Sequence, residues 1–485
     1  MSKTLIAGQS GIVGQDEAVP GKTMSVRLAL ASLSLSMLLS SLGISSANVA
    51  LPTLAQAFEA SFQDVQWIVL AYLLAITTLI VSAGRLGDIV GRRRLLLAGL
   101  VLFTAASILC GVAPSLWLMI AARAAQGVGA AALMALTMAL AGEIVGKAKT
   151  GSAMGLLGTM SAIGTALGPS LGGILIAGPG WPAIFLVNVP PGVVAFLLAW
   201  RHLPRDVPTP KADSAGFDHR GTLLLALTLA AYALAMTIGR GSFGPLNLAL
   251  LLASVAGAGL FLLAEARAAS PLIRLALFRD PALSASLATS TLVSTVIMAT
   301  LVVGPFYLSL ALGLDPVAVG FVMAAGPVVV ALTGVPAGRL ADRFGASRMT
   351  LIGLIAMAAG AFALSVTPMA LGVAGYVAPL VVVTAGYALF QTANNTAVMK
   401  DVSPDRRGVI SGMLNLSRNL GLVTGASALG AVFALASAAS DVTSAPADAV
   451  ATGMRTTFAV AGVLIVAALT LAAGSQALAR RTTRE

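Results

Sequence analysis

The sequence predicts an all-α protein that crosses a membrane many times. Apolar residues make up 58% of the 485 residues and only 10% are charged, whereas soluble domains carry about 25% charged residues. Apolar runs recur along the whole chain, and a run of about 20 residues can cross a hydrocarbon core of about 30 Å as a helix. Helices are expected because every backbone polar group in lipid must be hydrogen-bonded within its own segment.

Fourteen spans follow one another along the chain. They lie at roughly 26–50, 66–84, 95–113, 117–140, 151–177, 182–201, 221–240, 246–266, 282–308, 316–338, 348–368, 374–398, 408–437 and 456–479. An even number of spans places both termini on one side. Positive residues are retained in the cytoplasm, and the loops on the side away from the termini hold only Arg240 and Arg455. We therefore expect a multi-pass protein of the bacterial cytoplasmic (inner) membrane with cytoplasmic N- and C-termini.

One charged segment occurs twice. GRLGDIVGRRR (84–94) follows the second span, and GRLADRFGASR (338–348), with six of eleven positions identical, follows the tenth. Internal repeats are typical of transporters, which carry the substrate between their halves. The offset exceeds six spans and so predicts two extra helices between two six-helix bundles. The predicted parts are a tail (1–25), the first bundle (26–203), a linker with two extra helices (204–270), the second bundle (271–480) and a tail (481–485).

The repeated segment has a predicted role as a conformational switch. Its glycines permit a tight turn and close helix contact. Asp88, repeated as Asp342, can accept hydrogen bonds from a helix N-terminus and pair with an arginine, so the cluster could latch one face shut. A plain positive loop that fixes topology is the alternative, favoured for Arg93 and Arg94. The predicted switch residues are Gly84, Arg85, Asp88, Gly91, Arg92, Gly338, Arg339 and Asp342.

GRLGDIVGRRR resembles the loop signature between the second and third helices of the major facilitator superfamily. Because the segment recurs in the second half, the resemblance covers essentially the whole chain. It implies two six-helix bundles that transport by alternating access.

The fourth span contains an arginine, Arg123, in RAAQGVGAA (123–131). An arginine inside a span costs about 2.5–3.5 kcal/mol on insertion scales, so polar partners are expected, and Gln126 lies one turn along. Snorkelling to the interface is the alternative. The segment resembles the superfamily's fourth-helix motif, whose arginine is associated with proton transfer. The proton-transfer candidates are Arg123, Asp88 and Glu143, although a loop carboxylate near Lys147 is the favoured alternative for Glu143.

The fifth span contains GTALGPSLGG (164–173). Small residues spaced by four let helices approach closely, and a proline bends the helix; packing alone is an even alternative. The stretch resembles the antiporter motif of drug exporters, which seals the bundle interface on the outer side. The matching residues are Gly164, Gly168, Pro169, Gly172 and Gly173.

With fourteen spans, the chain looks like the fourteen-helix drug:proton antiporters, a multidrug efflux family. SSANVALP (45–52) and QWIVLAYLL (66–74) also resemble them. These exporters usually carry an aspartate five residues before the asparagine of NVALP, and that position is Gly43 here. No other carboxylate falls at the middle of a predicted span. Proton coupling is therefore expected through Asp88 and Arg123, or to be weak, and neutral, zwitterionic or anionic substrates are favoured over dicationic ones.

Polar and aromatic residues inside the spans are candidates to line a substrate cavity. Intramembrane polar groups need partners, and a cavity between the halves is one place to find them. For the aromatic residues, packing or lipid contact is the favoured alternative. The candidates are Asn48, Trp67, Tyr72, Gln126, Gln391, Asn394, Asn395, Asn415 and Arg418.

The sequence predicts a secondary active exporter of small amphipathic organic compounds that works in exchange for protons. The alternative is uptake or facilitated transport of a neutral metabolite or vitamin, such as riboflavin, by the same fold. An enzyme is disfavoured because no catalytic cluster lies in the spans, and direct ATP use is disfavoured because the G-x-x-x-x-G-K-[ST] loop is missing. We expect no cofactor, metal or nucleic acid, and a monomer whose partners are its substrate, protons and membrane lipids.

Overall fold

The computed structural model of the chain describes residues 25–145, 150–206, 218–238, 244–268, 271, 275–399, 407–437 and 441–482. These residues form helices and short connections, with no strand among them. Fourteen spans within the described ranges are long and apolar enough to cross a membrane. The predicted fold class and the predicted number of spans are therefore confirmed. The first 24 residues and most of the predicted linker lie outside the described residues.

The helices form two halves separated by an inserted pair. The N-terminal half contains α1 (Val26–Ala57), α2 (Phe62–Val90), α3 (Arg92–Gly111), α4 (Leu116–Ile144), α5 (Thr150–Ala177), α6 (Pro182–Leu186) and α7 (Val189–His202). The inserted hairpin contains α8 (His219–Thr237) and α9 (Pro245–Arg267). The C-terminal half contains α10 (Pro281–Phe306), α11 (Pro316–Phe344), α12 (Ala346–Val366), α13 (Gly372–Met399), α14 (Arg407–Thr424), α15 (Gly430–Ala436) and α16 (Ala447–Thr482). A π-helical turn, Tyr307–Ala311, continues α10. A second one, Gly425–Leu429, joins α14 to α15.

Small polar residues begin many of these helices, as expected for N-caps. The first backbone N–H groups of a helix have no partner within the helix, and a side-chain oxygen can accept from them. Ser25, Ser61 and Ser115 accept in this way at α1, α2 and α4. Asp218, Asp280 and Asp315 do so at α8, α10 and α11.

Several helices are longer than the predicted spans. Residues 84–90 form the last two turns of α2, and residues 338–344 form the last two turns of α11. Each repeat copy therefore ends one helix and begins the next. Hydropathy marks only the part of a helix that matches the hydrocarbon core, whereas backbone hydrogen bonding continues into the charged residues until Gly91 and Gly345.

The sixth span is one predicted segment but two helices. α6 ends at Leu186, and α7 starts at Val189 with two prolines in its first turn. Proline has no N–H to donate, and its ring clashes with the preceding turn, so a proline is most easily accommodated in the first turn of a helix. Asn188 lies at the break, where its side-chain amide donates to the carbonyls of Ile184 and Phe185.

The two halves repeat one packing pattern. In the N-terminal half, α1 packs against α5 and α7, and α4 packs against α2 and α3. The matching helices of the C-terminal half pair in the same way, α10 with α14 and α16, and α13 with α11 and α12. This correspondence is what an internal repeat produces. The inserted hairpin packs against α2.

The halves share a core at only one end of the bundle. We call the end that carries Gly91 and Gly345 the repeat face, and the other end the opposite face. The largest apolar cluster joins both halves, and its N-terminal-half members lie in the parts of the helices near the opposite face. Three further described clusters belong to one half each, and a small cluster around Leu225 and Phe261 of the inserted hairpin contacts Leu74 of α2 and Leu420 of α14. The two halves are therefore held together near the opposite face and separate towards the repeat face.

Candidate transport pathway and charged sites

The first repeat copy is anchored to two other elements. Its turn is made by Gly91, whose φ of 110° favours glycine. Arg92 forms an ion pair with Glu143 near the end of α4, and Arg93 donates to the carbonyl of Trp200 in α7. Glu143, a proton-transfer candidate, thus has Arg92 as its partner, while Lys147 lies outside the described residues.

Asp206 caps α3 from a distance of more than one hundred residues in sequence. Its carboxylate accepts from the backbone N–H groups of Arg93 at 2.8 Å and Arg94 at 3.1 Å. The helix N-terminus is positively polarised and favours a carboxylate. Sequence reasoning assigned such a cap to Asp88, and it missed Asp206 because that residue falls in the predicted linker. The side chain of Asp88 lies outside the described residues, so the latch at Asp88 stays a prediction.

The glycines of the first copy serve different purposes. A methyl group on Gly91 would collide with the Asp206 carboxylate, and one on Gly87 would collide with Leu136 of α4. Gly84 has open space around it. Arg85, next to it, is partly buried. Close contact is therefore required at Gly87 and Gly91, but not at Gly84.

The second repeat copy is largely exposed. Arg339 and Asp342 are both exposed, and Gly338 is partly buried. Gly345 makes the turn with φ at 91°, yet nothing lies within 4 Å of the place where its Cβ would be. The Arg343 guanidinium lies 5.3 Å from the ring centroid of its neighbour Phe344. Within the described part of the chain, Asp342 has no ion-pair partner.

Arg123 lies at the centre of a buried network in the N-terminal half. Its side chain is 0% exposed. It donates to the carbonyls of Ile68 in α2 and Gly43 in α1, both at 2.9 Å, and to the side-chain oxygen of Gln126. The guanidinium lies 4.2 Å from the ring centroid of Tyr72. At this distance a cation above the face of an aromatic ring is attracted to it. Arg123 therefore ties together α1, α2 and α4.

Two cavity candidates belong to this same network. Gln126 donates to the Ser107 hydroxyl at 2.7 Å, and Tyr72 donates to the carbonyl of Ser40 at 2.9 Å. Both side chains are fully buried. Their partners belong to α1 and α3, so both side chains face the interior of the N-terminal half rather than a space between the halves.

Gly43 takes part in the network through its backbone. A Cβ at this position would lie 3.0 Å from the Tyr72 hydroxyl, closer than ordinary van der Waals contact. The carbonyl of Gly43, rather than a side-chain carboxylate, accepts from Arg123. An aspartate here would place a negative charge beside Arg123.

The glycines of α5 form two close contacts. Gly164, Gly168 and Gly172 face α1, where a Cβ on Gly164 would lie 2.6 Å from the Leu38 carbonyl oxygen. Gly173 faces the C-terminal half instead, and its Cβ would lie 2.5 Å from the carbonyl oxygen of Pro316 in α11. Small residues permit this approach of backbones. The seam predicted from the sequence thus packs inside one half and across both.

Pro169 belongs to the contact between the halves. Its carbonyl oxygen would lie 2.5 Å from a Cβ on Gly320 of α11. This contact lies near the C-terminal end of α5 and the start of α11, which is close to the opposite face.

The other cavity candidates differ in burial and in the helices that they contact. Asn48 is 1% exposed, and its amide donates to the Ile44 carbonyl while its side-chain oxygen has no partner among the described residues. Trp67 donates to the Thr237 hydroxyl at 3.1 Å, so it contacts the inserted hairpin. In QTANN (391–395), Gln391 is partly buried, Asn394 is buried and Asn395 is exposed. Asn415 and Arg418 are partly buried on α14.

Contacts across the halves near the opposite face were missed by sequence reasoning. Phe62 of α2 packs edge-to-face with Phe306 and Phe433, at centroid distances of 4.7 and 5.3 Å. Gln66 donates to the carbonyl of Ala426 at 3.0 Å. That carbonyl lies in a π-helical turn, where the regular helical hydrogen-bond pattern is interrupted. No pattern along the chain identifies these partners, which lie far apart in sequence, 360 residues in the case of Gln66 and Ala426.

The site therefore consists of two arrangements with different chemistry. The opposite face is sealed by aromatic rings, glycine backbones and one amide, and the repeat face carries most of the described charge. The described residues include no group of three or more His, Cys, Asp or Glu residues that could hold a metal ion. The geometry suits a pathway that opens and closes at two ends.

Known proteins are similar to this chain in sequence and in fold. A family profile described as Major Facilitator Superfamily matches residues 33–426. The multidrug resistance protein Stp of Mycobacterium tuberculosis (strain CDC 1551 / Oshkosh) is 32% identical over 398 residues, which cover 80% of this chain and 72% of that protein. The riboflavin transporter RibZ of Clostridioides difficile (strain 630) is 30% identical over 407 residues, which cover 84% of this chain and 88% of that protein.

A solved structure has the same fold at low sequence identity. It is a bacterial homolog to the human lysosomal transporter Spinster, in an inward-facing and unoccupied conformation. The TM-score is 0.68 and the identity is 15%, and the match covers 94% of this chain and 98% of that chain.

Proposed function

The chain belongs to the major facilitator superfamily and is a membrane transporter rather than an enzyme, and we propose that it exports small amphipathic organic compounds in exchange for protons. The contact between α5 and α11 near the opposite face carries this proposal. It unites the glycine seam of one half with the backbone of the other, and rocking the halves would break and re-form it. A relative named as a multidrug resistance protein supports export.

The described arrangement corresponds to one state of an alternating-access cycle. The halves share a core near the opposite face and have separate cores towards the repeat face. With the basic residues of the repeat face in the cytoplasm, this state is open to the cytoplasm and closed to the outside. Substrate enters from the cytoplasmic side, and the halves then rock until the seam parts.

Proton exchange in this proposal uses carboxylates at the repeat face. Gly43 supplies no carboxylate to Arg123, so the buried network of Arg123 holds α1, α2 and α4 together. Glu143 lies in contact with Arg92, with its side chain 50% exposed, and Asp88 lies in the same copy of the repeat. Loading a proton on either carboxylate would weaken its attraction to arginine and release the latch.

Transport in liposomes tests the proposal. Purified protein would be placed in liposomes that contain a pH-sensitive dye, a proton gradient would be imposed, and a panel of dyes, antibiotics and flavins would be added. Proton movement opposite to substrate movement, and dependent on substrate, is the expected result. Substrate movement without proton movement would contradict proton exchange, and no movement of any compound in the panel would contradict drug export.

Uptake of a neutral vitamin such as riboflavin is the second candidate function. Two observations favour it, the relative named a riboflavin transporter and the glycine at position 43. The same liposomes distinguish the two functions. Riboflavin that moves down its own gradient, without proton movement and without transport of the dyes, would establish the second candidate and exclude the first.

A further inference from the structure

A second arginine lies deep in the membrane-spanning part of the C-terminal half, and its surroundings differ from those of Arg123. Arg418 lies eleven residues after the start of α14, or about 16 Å along the axis at 1.5 Å per residue. It falls within the apolar span Met413–Ala436. A charged side chain at such a position is expensive unless it faces a polar space or a partner.

The neighbours of α14 show which way Arg418 points. Ser417 faces α10, because its hydroxyl lies 2.8 Å from that of Thr291. Leu420 packs against the inserted hairpin, in the cluster with Leu225 and Phe261. Successive residues of a helix are about 100° apart. Arg418 therefore points about 100° away from the α10 side of the helix and about 160° away from the hairpin side.

The remaining side of α14 faces the space between the halves. α14 packs on α10 within its own half and on α2 of the other half, and Leu420 contacts the hairpin. Asn415, Arg418 and Asn419 lie within an arc of about 100° on the uncovered side. Asn415 and Arg418 are partly buried, which fits a location at the wall of a cavity.

The donors on this arc have no acceptor within the described part of the chain. Arg418 makes neither an ion pair nor a hydrogen bond with any described residue. Asn419 is only 5% exposed, and its side-chain nitrogen has no partner among the described residues. A buried donor without an acceptor costs free energy, so a ligand that supplies an acceptor would be bound favourably. Arg123, by contrast, donates to a protein oxygen from each of its three guanidinium nitrogens.

The described acidic residues of the C-terminal half lie away from the membrane-spanning part of α14. Asp280, Asp315, Asp342, Asp441 and Asp448 lie at helix ends or in connections. A planar guanidinium offers paired donors that match a carboxylate, sulfonate or phosphate group. We propose that Arg418, with Asn415 and Asn419, forms an anion-recognising subsite, and that the transported compounds are amphipathic organic anions. This inference rests on the proposed function for the identity of the ligand as the transported compound.

Binding of two dyes of similar size and opposite charge tests the subsite. Purified full-length protein in nanodiscs of phosphatidylcholine would be titrated against fluorescein, which is anionic, and rhodamine 123, which is cationic, by fluorescence polarisation. We expect the wild-type protein to prefer fluorescein. Arg418→Gln should weaken fluorescein binding about tenfold or more, as expected for a charge-assisted contact, and leave rhodamine 123 unchanged or tighter.

Two further variants separate charge from folding. Arg279→Gln makes the same charge change at an exposed residue of the 3-10 turn Leu275–Arg279 and should not affect either dye. Arg418→Lys retains a positive charge and should restore part of the fluorescein affinity. Should Arg418→Gln lose both dyes, recovery of fluorescein binding in Arg418→Lys would support the subsite, and recovery of neither would overturn it.

The binding result is independent of the direction and driving force of transport. Wild-type protein that does not bind fluorescein, or fluorescein affinity that is equal in wild type and Arg418→Gln, overturns the subsite even when dyes are exported from cells. Arg418-dependent binding of fluorescein in a protein that moves no compound outward in liposomes would leave the subsite in place and overturn only the proposed export.

Discussion

The two copies of the repeated segment share their turn and differ in how it is held. Both end a long helix and turn at a glycine of positive φ, Gly91 or Gly345. The first copy is bound to α4 through Arg92 and Glu143, and to the segment after α7 through Asp206. The second copy exposes Asp342, and its main described contact from another helix is a hydrogen bond from the Gln476 amide to the Ser347 carbonyl.

The difference shows that the repeated motif determines its own backbone turn but not the residues elsewhere in the chain that bind it. Glycine at the turn is required by conformation alone, so it recurs wherever the turn recurs. The anchoring carboxylates lie outside the motif, and they need not be duplicated with it. The offset of the repeat leads from Glu143 to Ala397, which cannot pair with an arginine. One half therefore holds its turn firmly, while the other leaves its charges available.

Replacing each turn glycine by alanine should give the largest contrast. Gly91→Ala places a methyl group against Asp206 in addition to a left-handed backbone, whereas Gly345→Ala meets nothing within 4 Å. A non-glycine residue in such a sparsely populated backbone conformation costs roughly 1–3 kcal/mol, so both variants should lose stability and Gly91→Ala should lose more than Gly345→Ala. Thermal unfolding of the purified variants in detergent measures both. Equal losses of stability in the two variants would contradict the difference in packing.

Removing the cap on α3 should have the next largest effect. Asp206→Ala leaves two backbone N–H groups without their acceptor, and loss of an N-cap costs about 0.5–2 kcal/mol. Asp206→Asn retains an acceptor oxygen and should lose less. Hydrogen exchange of the α3 N-terminus, compared with that of the α12 N-terminus as an internal control, reports the change. Unchanged exchange at Arg93 and Arg94 in Asp206→Ala would show that the cap is dispensable.

Breaking the ion pair between Arg92 and Glu143 should have a smaller effect on stability. Its side chains are 32% and 50% exposed, and exposed pairs contribute about 0.2–1 kcal/mol. Glu143→Gln should therefore lower the melting temperature only slightly. The decrease should be larger at low salt, where the ion pair is screened least. The exchanged pair Arg92→Glu with Glu143→Arg is the matched control. Transport that falls in the single variants and returns in the exchanged pair would show that the pair itself is used in the cycle.

Neutralising the exposed aspartate of the second copy should have the smallest effect on stability. Asp342→Asn removes a charge that has no ion-pair partner among the described residues, so the melting temperature should not change. Transport is the informative measurement, because a latch that forms only in another state would be lost. Asp88→Asn, with normal membrane insertion, should impair transport in the same way. Undiminished transport in both variants would remove the latch from the mechanism.

Much of the fold follows from the sequence because its causes are local. Hydropathy marks fourteen spans, and the proline pair after Asn188 explains the break in the sixth span. Arg123 and Gln126 could be paired in advance, since they lie one helical turn apart. Gly43 could be singled out by resemblance alone.

The anchors of the site could not be predicted, because they depend on how distant segments pack. Asp206 reaches α3 only after α7 has returned beside it. Tyr72 is one of many aromatic residues in the spans until Arg123 is found above its ring. Asn415 and Arg418 could be placed on one helical face, but the face could be oriented only after α10 and the hairpin were seen on the other sides.

The inserted hairpin makes the two flanks of the molecule mechanically unequal. α8 is fastened to α2 at both ends, through the hydroxyls of Ser82 and Thr222 and through Trp67 and Thr237, and it also touches the π-helical turn of the other half. On the other flank, α5 and α11 contact each other directly. In the rocking motion proposed above, a hairpin bonded to α2 moves with the N-terminal half, so the contacts that change are those between α8 and the π-helical turn of the C-terminal half.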